Sequence, residues 1–515
     1  MLCKSVVFCF SLTLLGVSAS KILAIVPSPS YSHQISFRKI WIELSLKGHE
    51  VTLITTDPMN DPKLTNLKEI DVHESYKIMD DLYQNTHKAS RFQFLKIMTT
   101  AYEQIFEYQL STDSVKKLMS NESRFDLVIC ESFLFEYQAF SDLYKCPKIL
   151  ISSLDSLMFL HSLLGNPPNH VANPDILLPY ISENMNFFGR LHSFVHNILY
   201  KVFKWYIHFP QRHEVLKRHF GETVRHPAEI LLDTDLLLIN SHPIFAGIRT
   251  VGPNVIYFGG GNHIFPLKPL PKDLQDFLND AKDGCIYFSL GSNSKSVDIP
   301  EDKIQIIMET LSELPYKVLW KFEMTDVIKP PKNVKFISWA PQQDILRHPN
   351  IKLFITQGGV QSLEESVISH VPMVILPIHG DQESNAMRME LTGVARIVPY
   401  KPNLNKEQFK SIILEVISDP KYKENCIKTA DILLDQPMKG VDKAIWWIEY
   451  VIRHNGAKHF RSPVLDIPAY QYYGLDVMGA IFLFFYIIFK IPFWILRICR
   501  KSKAVSKVES KKKKQ

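Results

Sequence analysis

Short apolar runs alternate with stretches of helical spacing along most of this chain. The run Ile22–Val26 predicts a buried strand, and apolar positions spaced as in a helix continue as far as Leu46. Gly48 stands where a helix C-cap belongs, and Val51–Thr55 predicts the next strand, which completes a βαβ unit. Further strands of the same sheet are predicted for the apolar runs 125–130, 148–151 and 236–240.

The alternation stops between residues 251 and 272, where Gly and Pro accumulate, and we interpret this stretch as a linker. It resumes with strands predicted at 285–290, 317–321, 334–337, 353–356 and 373–376. Strands and helices that alternate in both halves predict two doubly wound α/β domains, residues 20–250 and 273–455. Ligands of such sheets bind at the carboxyl ends of the strands, so we expect the functional site in a cleft between the domains.

The pattern changes again near the C-terminus, after a juxtamembrane segment at 456–476. Residues 477–496 are apolar except for Lys490 and Pro492, and at ~1.5 Å per residue they cover the ~30 Å core of a bilayer. A buried core helix is the alternative, which Lys490 favours weakly. The strongly basic segment 497–515 indicates instead a transmembrane helix with a cytosolic tail.

The N-terminus carries a second membrane signal. Lys4 precedes an apolar run too short to span a bilayer, which predicts a signal peptide over residues 1–19 and a lumenal location for both domains. A buried N-terminal strand is the alternative, but 21–26 already supplies the first strand. The ending Lys512–Gln515 matches a dilysine signal for retrieval to the endoplasmic reticulum, or is a generic basic anchor. Asn121 begins an N-glycosylation sequon that this topology makes lumenal.

The net charge of +6 comes from the tail, because residues 497–515 contribute +8 and everything upstream sums to −2. A nearly neutral folded part gives no support for nucleic-acid binding. The cysteines expected in the lumen show no metal-like spacing and are open to pairing or to remaining as buried thiols: Cys130, Cys146, Cys285 and Cys426.

One segment does not fit the alternating scheme. Residues 186–209 combine helical spacing with many aromatic side chains and the basic residues Arg190, Lys201 and Lys204. This mixture suits a helix at a membrane surface or at the entry for an acceptor. Ordinary packing in the core is the alternative.

The clearest chemical signal is the segment Thr356–Ser366, in which a strand, two glycines and a helix follow one another. Glycines let backbone N–H groups approach a ligand, and a helix N-terminus favours negative charge, so the segment suits a phosphate. The motif alone is weak. Its neighbours strengthen it: Trp339 offers a face for a base, Glu365 lies one helical turn after Gln361, and the pair Asp381-Gln382 suits sugar hydroxyls.

This combination resembles the signature of the UDP-glycosyltransferase family. The match is carried, in order, by Trp339–Gln342, Ile345-Leu346, Phe354–Thr356, Gly358-Gly359, Glu365, Pro372, Pro377 and Asp381-Gln382. The segments Leu46–Thr52 and Tyr287–Ser292 are similar as well, and the whole pattern looks most like that of insect members. The resemblance implies the GT-B fold: two Rossmann-like domains, with the acceptor side N-terminal and the donor side C-terminal.

The resemblance also implies roles for the donor-side residues. Trp339 would stack on uracil, Gln342 would bond the ribose or the base, and Glu365 would bind the ribose hydroxyls. The remaining contacts would be made to the diphosphate by Ser292, Gly359, Gln361 and Ser362, and to the sugar by Asp381 and Gln382.

One departure from the family concerns the diphosphate. The family usually has His where this chain has Gln357. A Gln still donates a hydrogen bond, but a charge-assisted bond is about twice as strong. Donor affinity would then depend more on Ser292 and on the helix N-terminus.

The same resemblance implies His33 as the catalytic base. An imidazole that titrates near neutrality can take the proton of an acceptor hydroxyl as it attacks the anomeric carbon. The family orients this His with an Asp, whereas the matching position here is Glu131. The family needs no metal or other cofactor, and the DxD-like Asp233-Thr234-Asp235 precedes an apolar strand, so we interpret it as structural.

The leading hypothesis is therefore an inverting glycosyltransferase of the endoplasmic reticulum membrane. It would move a hexose, glucose by resemblance to insect members, from a UDP-sugar to small lipophilic acceptors that carry hydroxyl groups. The alternative is a non-catalytic relative that binds such a ligand, which Gln357 and Glu131 favour. A single-pass receptor fits the topology but gives the segment from Trp339 to Gln382 no purpose. A homo-oligomer stays open.

Overall fold

The computed structural model describes residues 19–83, 91–120, 124–292, 296, 299–323, 329–400 and 404–512. The chain divides into two compact units at Arg461–Ser462. Residues 1–18 of the predicted signal peptide, Asn121 and the last three residues lie outside the described residues.

The first half of the first unit is built on a seven-stranded parallel sheet in the order β3-β2-β1-β4-β5-β6-β7. Its strands are β1 (Lys21–Val26), β2 (Glu50–Thr55), β3 (Leu67–Asp71), β4 (Leu127–Glu131), β5 (Lys148–Ser152), β6 (Leu236–Ile239) and β7 (Val255–Tyr257). Its helices are α1 (Tyr31–Leu46), α2 (Ser75–Tyr83), α3 (Arg91–Ser111), α4 (Asp113–Ser120), α5 (Ala139–Tyr144), α6 (Met158–Leu163), α7 (Phe187–Phe203), α8 (Phe209–Phe220), α9 (Pro227–Leu232) and α10 (Pro243–Ala246).

Strand β1 shows why an unbroken apolar run forms the middle of this sheet. Leu23 and Ile25 pack into the core on one face, and the residues alternating with them pack into the core on the other face. Both faces are covered, as in doubly wound folds, so every position of the strand after Lys21 is apolar and buried. After α1, Gly48 turns the chain at φ +95°, a conformation that glycine adopts without strain.

The second half of this unit contains a six-stranded parallel sheet in the order β10-β9-β8-β11-β12-β13. Its strands are β8 (Cys285–Ser289), β9 (Lys317–Lys321), β10 (Val334–Ile337), β11 (Ile351–Thr356), β12 (Met373–Ile375) and β13 (Ala395–Ile397). Its helices are α11 (Lys272–Asn279), α12 (Glu301–Ser312), α13 (Gln342–Leu346), α14 (Val360–Ile368), α15 (Gln382–Leu391), α16 (Lys406–Ser418), α17 (Lys421–Leu434) and α18 (Gly440–Arg453).

The prediction of two Rossmann-like sheets is confirmed, with three differences in detail. Strand β7 lies within the predicted linker 251–272, because its three residues complete the edge of the first sheet beside β6. The short strands β3 and β13 were not predicted. Helix α18 belongs by sequence to the second domain but packs on the first, where Ile445 and Ile448 join the core around Trp41 of α1.

The two aspartates of the DxD-like segment make contacts within the fold. Asp235 accepts hydrogen bonds from the backbone N–H groups of Lys148 and Ala457, and Asp233 pairs with Lys148 and Lys458. These contacts join β5, β6 and the segment after α18. The four cysteines open to pairing are all free thiols.

The second unit contains α19 (Ala469–Tyr472) and α20 (Leu475–Lys512). The part of α20 from Leu475 to Ala504 is long and apolar enough to cross a membrane and includes the predicted span 477–496.

Candidate active site

All strands of each sheet run in one direction, so the loops after them share one edge. The chain places His33 just after β1 and Glu131 at the end of β4, and these two strands are neighbours. The donor-side residues follow β8, β10, β11 and β12 in the same way. Both edges border a cavity of about 400 Å³ within the first unit.

The walls of this cavity come from both sheets. Its N-terminal side is formed by neighbours of His33 in and beside α1, among them Tyr31, Ser32, Ile35 and Arg38. Its C-terminal side brings together eight of the predicted donor-site residues: Ser292, Trp339, Gln342, Gln357, Gly359, Gln361, Ser362 and Glu365. Residues from position 31 to position 365 of the chain therefore line one cavity.

The pair His33 and Glu131 has the geometry of an oriented base. Nδ1 of His33 is hydrogen-bonded to Oε1 of Glu131, whose side chain is fully buried. The other carboxylate oxygen accepts the backbone N–H of Ser28 at 3.3 Å. An ionised carboxylate on Nδ1 keeps the proton there and leaves Nε2 as the acceptor. The extra methylene of Glu131 does not prevent this contact.

Gln34, next to His33 in the first turn of α1, holds the segment between β1 and α1 in place, and no motif marks it in the sequence. Its Nε2 donates to the carbonyls of Val26 and Ser28, at 2.8 and 2.9 Å, and to Oγ1 of Thr56 at 3.0 Å. Its Oε1 accepts from the hydroxyl of Thr55 at 2.7 Å. The turn between β1 and α1 is thus tied to the end of β2.

On the donor side, the side chains of Gln342 and Glu365 are hydrogen-bonded to each other. Nε2 of Gln342 donates to Oε2 of Glu365 at 2.6 Å and to Oγ of Ser362 at 2.9 Å, and Oε1 accepts the hydroxyl of Tyr287 at 3.2 Å. Gln343 donates to the other oxygen of Glu365 at 2.9 Å. The carboxylate is therefore fixed in place by two amides.

A second missed residue, His263, lies behind Glu365. It belongs to the segment between the domains and is wholly buried. Its Nε2 is 3.4 Å from Oε1 of Glu365, and its Nδ1 is 3.5 Å from Oε2 of Glu364. No motif marks this His in the sequence, because the contact joins residues that are far apart in the chain.

Burial and charge in this cluster shift the pKa values of His263, Glu364 and Glu365. Burial alone would lower the pKa of His263, but the hydrogen bond with Glu365 and the charges of both carboxylates raise it. Burial acts to raise the pKa of Glu365, yet the bonds from His263 and the two amides lower it overall. Burial raises the pKa of Glu364. His263 and Glu365 therefore each favour the charged form of the other.

Trp339 is placed to hold a flat ligand. Its side chain is 57% exposed, and the ring of Tyr31 meets it edge-on at 5.3 Å between centroids. Nζ of Lys321 lies 5.4 Å from the indole centroid and donates to the carbonyl of Gly291 at 2.9 Å. The cation at the end of β9 is a further cavity residue that the sequence analysis missed.

The predicted phosphate contacts divide into two kinds. Gln357 is buried beside Gly291, and its amide oxygen has no hydrogen-bond partner among the described residues. Such an orphaned polar atom costs free energy until a ligand or water satisfies it. Gln361 instead donates across the cleft to Oγ of Ser36 at 3.0 Å and to the carbonyl of Ser153 at 2.9 Å. Its side chain joins the two domains.

The predicted sugar contacts lie apart from the main cavity. Gln382 is buried and accepts the backbone N–H groups of Ile378 and His379 at 2.8 and 3.0 Å, so its oxygen shapes its own loop. Asp381 lines an adjoining cavity of only about 20 Å³ and accepts from Asn385 at 2.7 Å. Burial raises the pKa of Asp381, while the Asn385 bond and the charge of His33 act against the rise.

Comparisons with known proteins identify the family of the chain. The family described as UDP-glucoronosyl and UDP-glucosyl transferase matches residues 20–515. UDP-glycosyltransferase UGT5 of Dactylopius coccus is 31% identical over 466 residues, with 89% of this chain and 88% of that protein covered. UDP-glucuronosyltransferase 2B7 of Homo sapiens is 30% identical over 497 residues, with 92% and 91% covered.

Among solved structures, the glycotransferase of kitacinnamycin superposes with a TM-score of 0.54 at 17% identity, covering 84% of this chain and 99% of that one. This likeness concerns the fold alone and shows two Rossmann-like domains arranged as GT-B. The family match over residues 20–515 and the two relatives show more than the fold. The chain belongs to the UDP-glucuronosyl- and UDP-glucosyltransferases and is a glycosyltransferase.

Proposed function

We propose that this enzyme transfers glucose from UDP-glucose to a hydroxyl group of small lipophilic acceptors, with His33 as the general base. The observation that supports the proposal most is the hydrogen bond between Nδ1 of His33 and the buried Glu131, beside a cavity lined by the donor-site residues. The C-terminal helix from Leu475 to Ala504 would anchor the enzyme in a membrane. The dilysine-like segment Lys512–Gln515 favours the membrane of the endoplasmic reticulum.

The reaction would proceed by direct displacement. Nε2 of His33 takes the proton of the acceptor hydroxyl as its oxygen forms a bond to the anomeric carbon. The bond from that carbon to the diphosphate breaks, and UDP leaves with the electron pair. Attack opposite to the leaving group turns an α-linked donor into a β-glycoside. Glu131 stabilises the imidazolium that forms.

Aromatic side chains around His33 support a lipophilic acceptor. The ring of Phe133 lies 5.1 Å from the imidazole, and Tyr102 stacks on Phe133 with 6.2 Å between centroids. A flat apolar molecule that bears one hydroxyl group would find both a surface and a base there.

The identity of the sugar has a second candidate. Glucuronate is favoured by one observation: Arg388 lines the same small cavity as Asp381, and a guanidinium binds a carboxylate well. Competition between UDP-glucose, UDP-glucuronate and UDP-galactose for a phenol acceptor tests the donor. Faster transfer from UDP-glucuronate than from UDP-glucose would overturn the assignment of glucose.

Replacing Trp339 tests where the uracil base of UDP binds. We expect Trp339→Ala to weaken UDP binding by about 1–3 kcal/mol, the range for the loss of one stacking contact with a base. Titration calorimetry with UDP measures the change. Trp446→Ala, at an exposed Trp of α18, is the control and should leave UDP affinity unchanged. If the Trp339 variant bound UDP as well as the parent does, the ring would not contact the base.

Replacing Gln357 by the residue usual in the family tests the diphosphate contact. We expect Gln357→His to strengthen UDP binding by about 1 kcal/mol at pH 6, since a charged donor gives the stronger hydrogen bond. The gain should shrink at pH 8, where an imidazole of ordinary pKa is neutral. Gln357→Asn, which stays a neutral amide, should show no such dependence on pH. An equal gain at both pH values would contradict a charged contact.

A further inference from the structure

Helix α7 and the turn after it present an apolar surface to the outside of the first unit. Large apolar side chains that are between 40% and 74% exposed include Phe188, Leu191, Val195, Ile198, Leu199 and Val202. Trp205, Tyr206 and Ile207 continue the surface through a turn of π-helix. We call the exposed apolar side chains of residues 187–207 the outer face.

The opposite side of α7 is small or polar. Its buried residues are Gly189, Ser193, Asn197 and Tyr200, which recur every three or four positions. Ser193 donates to the carbonyl of His170 at 2.8 Å, and Asn197 donates to the sulfur of Met158 at 2.7 Å.

A helix on a water-facing surface buries its apolar stripe and exposes its polar one. Helix α7 does the reverse, because its polar stripe is satisfied by the protein and its apolar stripe is exposed. The outer face would therefore be more stable in contact with surroundings less polar than water.

Charge narrows the choice of surroundings. The stretch from residue 184 to residue 213 contains no Asp or Glu, whereas Arg190 is exposed and Lys201 is half-exposed on α7. A second copy packed symmetrically on this face would bring the same basic residues together, which opposes association. An anionic phospholipid surface complements both the charge and the apolar side chains.

The chain already carries a helix that can cross a bilayer, Leu475–Ala504 in the second unit. Trp205 and Tyr206 at the C-terminal end of the outer face are the residues that favour the boundary between lipid and water. We propose that the outer face inserts into the surface of the membrane, among lipid headgroups and the first carbons of the acyl chains. The proposal goes beyond sugar transfer and does not depend on it.

The test places a fluorescent label on the face in the full-length protein. Ile198→Cys and Ile207→Cys carry an NBD label in a background of Cys146→Ser and Cys499→Ser. Ile432→Cys on α17 is the matched control, because these three isoleucines are 47%, 48% and 53% exposed. Each protein is reconstituted into phosphatidylcholine–phosphatidylserine vesicles with or without nitroxide-labelled acyl chains. UDP binding of each labelled protein confirms that it is folded.

We expect nitroxide lipids to quench labels 198 and 207 several-fold more than label 432. Equal quenching at the three positions would overturn the proposal. A label that becomes buried, with a blue-shifted emission, but stays unquenched would also overturn it, since a protein surface would then cover the face. Labelling two positions on the outer face ensures that the result does not depend on a local disturbance in one variant.

Discussion

Replacing His33 by Ala should lower kcat by about 10²–10⁴-fold while leaving the affinity for UDP unchanged. The rate falls because the imidazole oriented by Glu131 is the group expected to take the proton of the acceptor hydroxyl. UDP affinity persists because the predicted nucleotide contacts belong to the other sheet. Single-turnover kinetics with a phenol acceptor and calorimetry with UDP measure the two quantities. A variant that retained full activity would remove His33 as the base.

Glu131 supplies the control for this experiment. Glu131→Gln keeps the size of the side chain but removes the charge that stabilises the imidazolium, so kcat should again fall by about 10²–10⁴-fold with UDP affinity unchanged. Glu131→Asp, the residue usual in the family, should lose less activity than Glu131→Gln. If Glu131→Gln were as active as the parent, the hydrogen bond to His33 would stabilise the folded protein without contributing to catalysis.

Much of this site could be predicted from the sequence, because its parts are local. Most of the parallel strands are apolar runs, and many of the functional residues follow such a run within a few positions. Trp339 after β10 and Gln357 after β11 therefore had to come to one edge of one sheet. The turn at Gly358 and Gly359, between β11 and α14, could be predicted for the same reason.

The details that the sequence could not give depend on contacts between distant segments. Gln361 follows the glycines as a phosphate ligand would, yet its amide bonds Ser36 and Ser153 on the opposite domain. Gln382 was predicted to bind the sugar, but its amide oxygen accepts two N–H groups of its own loop. Neither preference is encoded in the neighbouring residues.

The same limit applies to the outer face and to α18. Residues 186–209 have a helical period, but the period alone does not say which stripe is turned inward. Helix α18 has an ordinary amphipathic pattern, and only the fold shows that its stripe packs beside Trp41 of the first domain. Partners of amphipathic helices are fixed by packing over long distances along the chain.

His263 is the missed residue whose removal should have the largest effect on the donor side. We expect His263→Leu to lower the free energy of unfolding by about 3–5 kcal/mol, since it removes the partner of two adjacent buried acidic side chains. The variant should also bind UDP more weakly, because the pKa of Glu365 is then no longer held down by the imidazolium. Denaturant unfolding and calorimetry with UDP measure the two losses.

Removing one of the two carboxylates distinguishes charge from packing. In His263→Leu combined with Glu364→Gln, Glu365 has no like-charged neighbour in the cluster, so most of the lost stability should return. UDP binding should recover less, since Glu365 would still lack the bond to His263 that helps to fix its carboxylate. A double variant no more stable than His263→Leu alone would show that the imidazole ring contributes by filling space. In that case the segment between the domains would support the donor site by shape and not by charge.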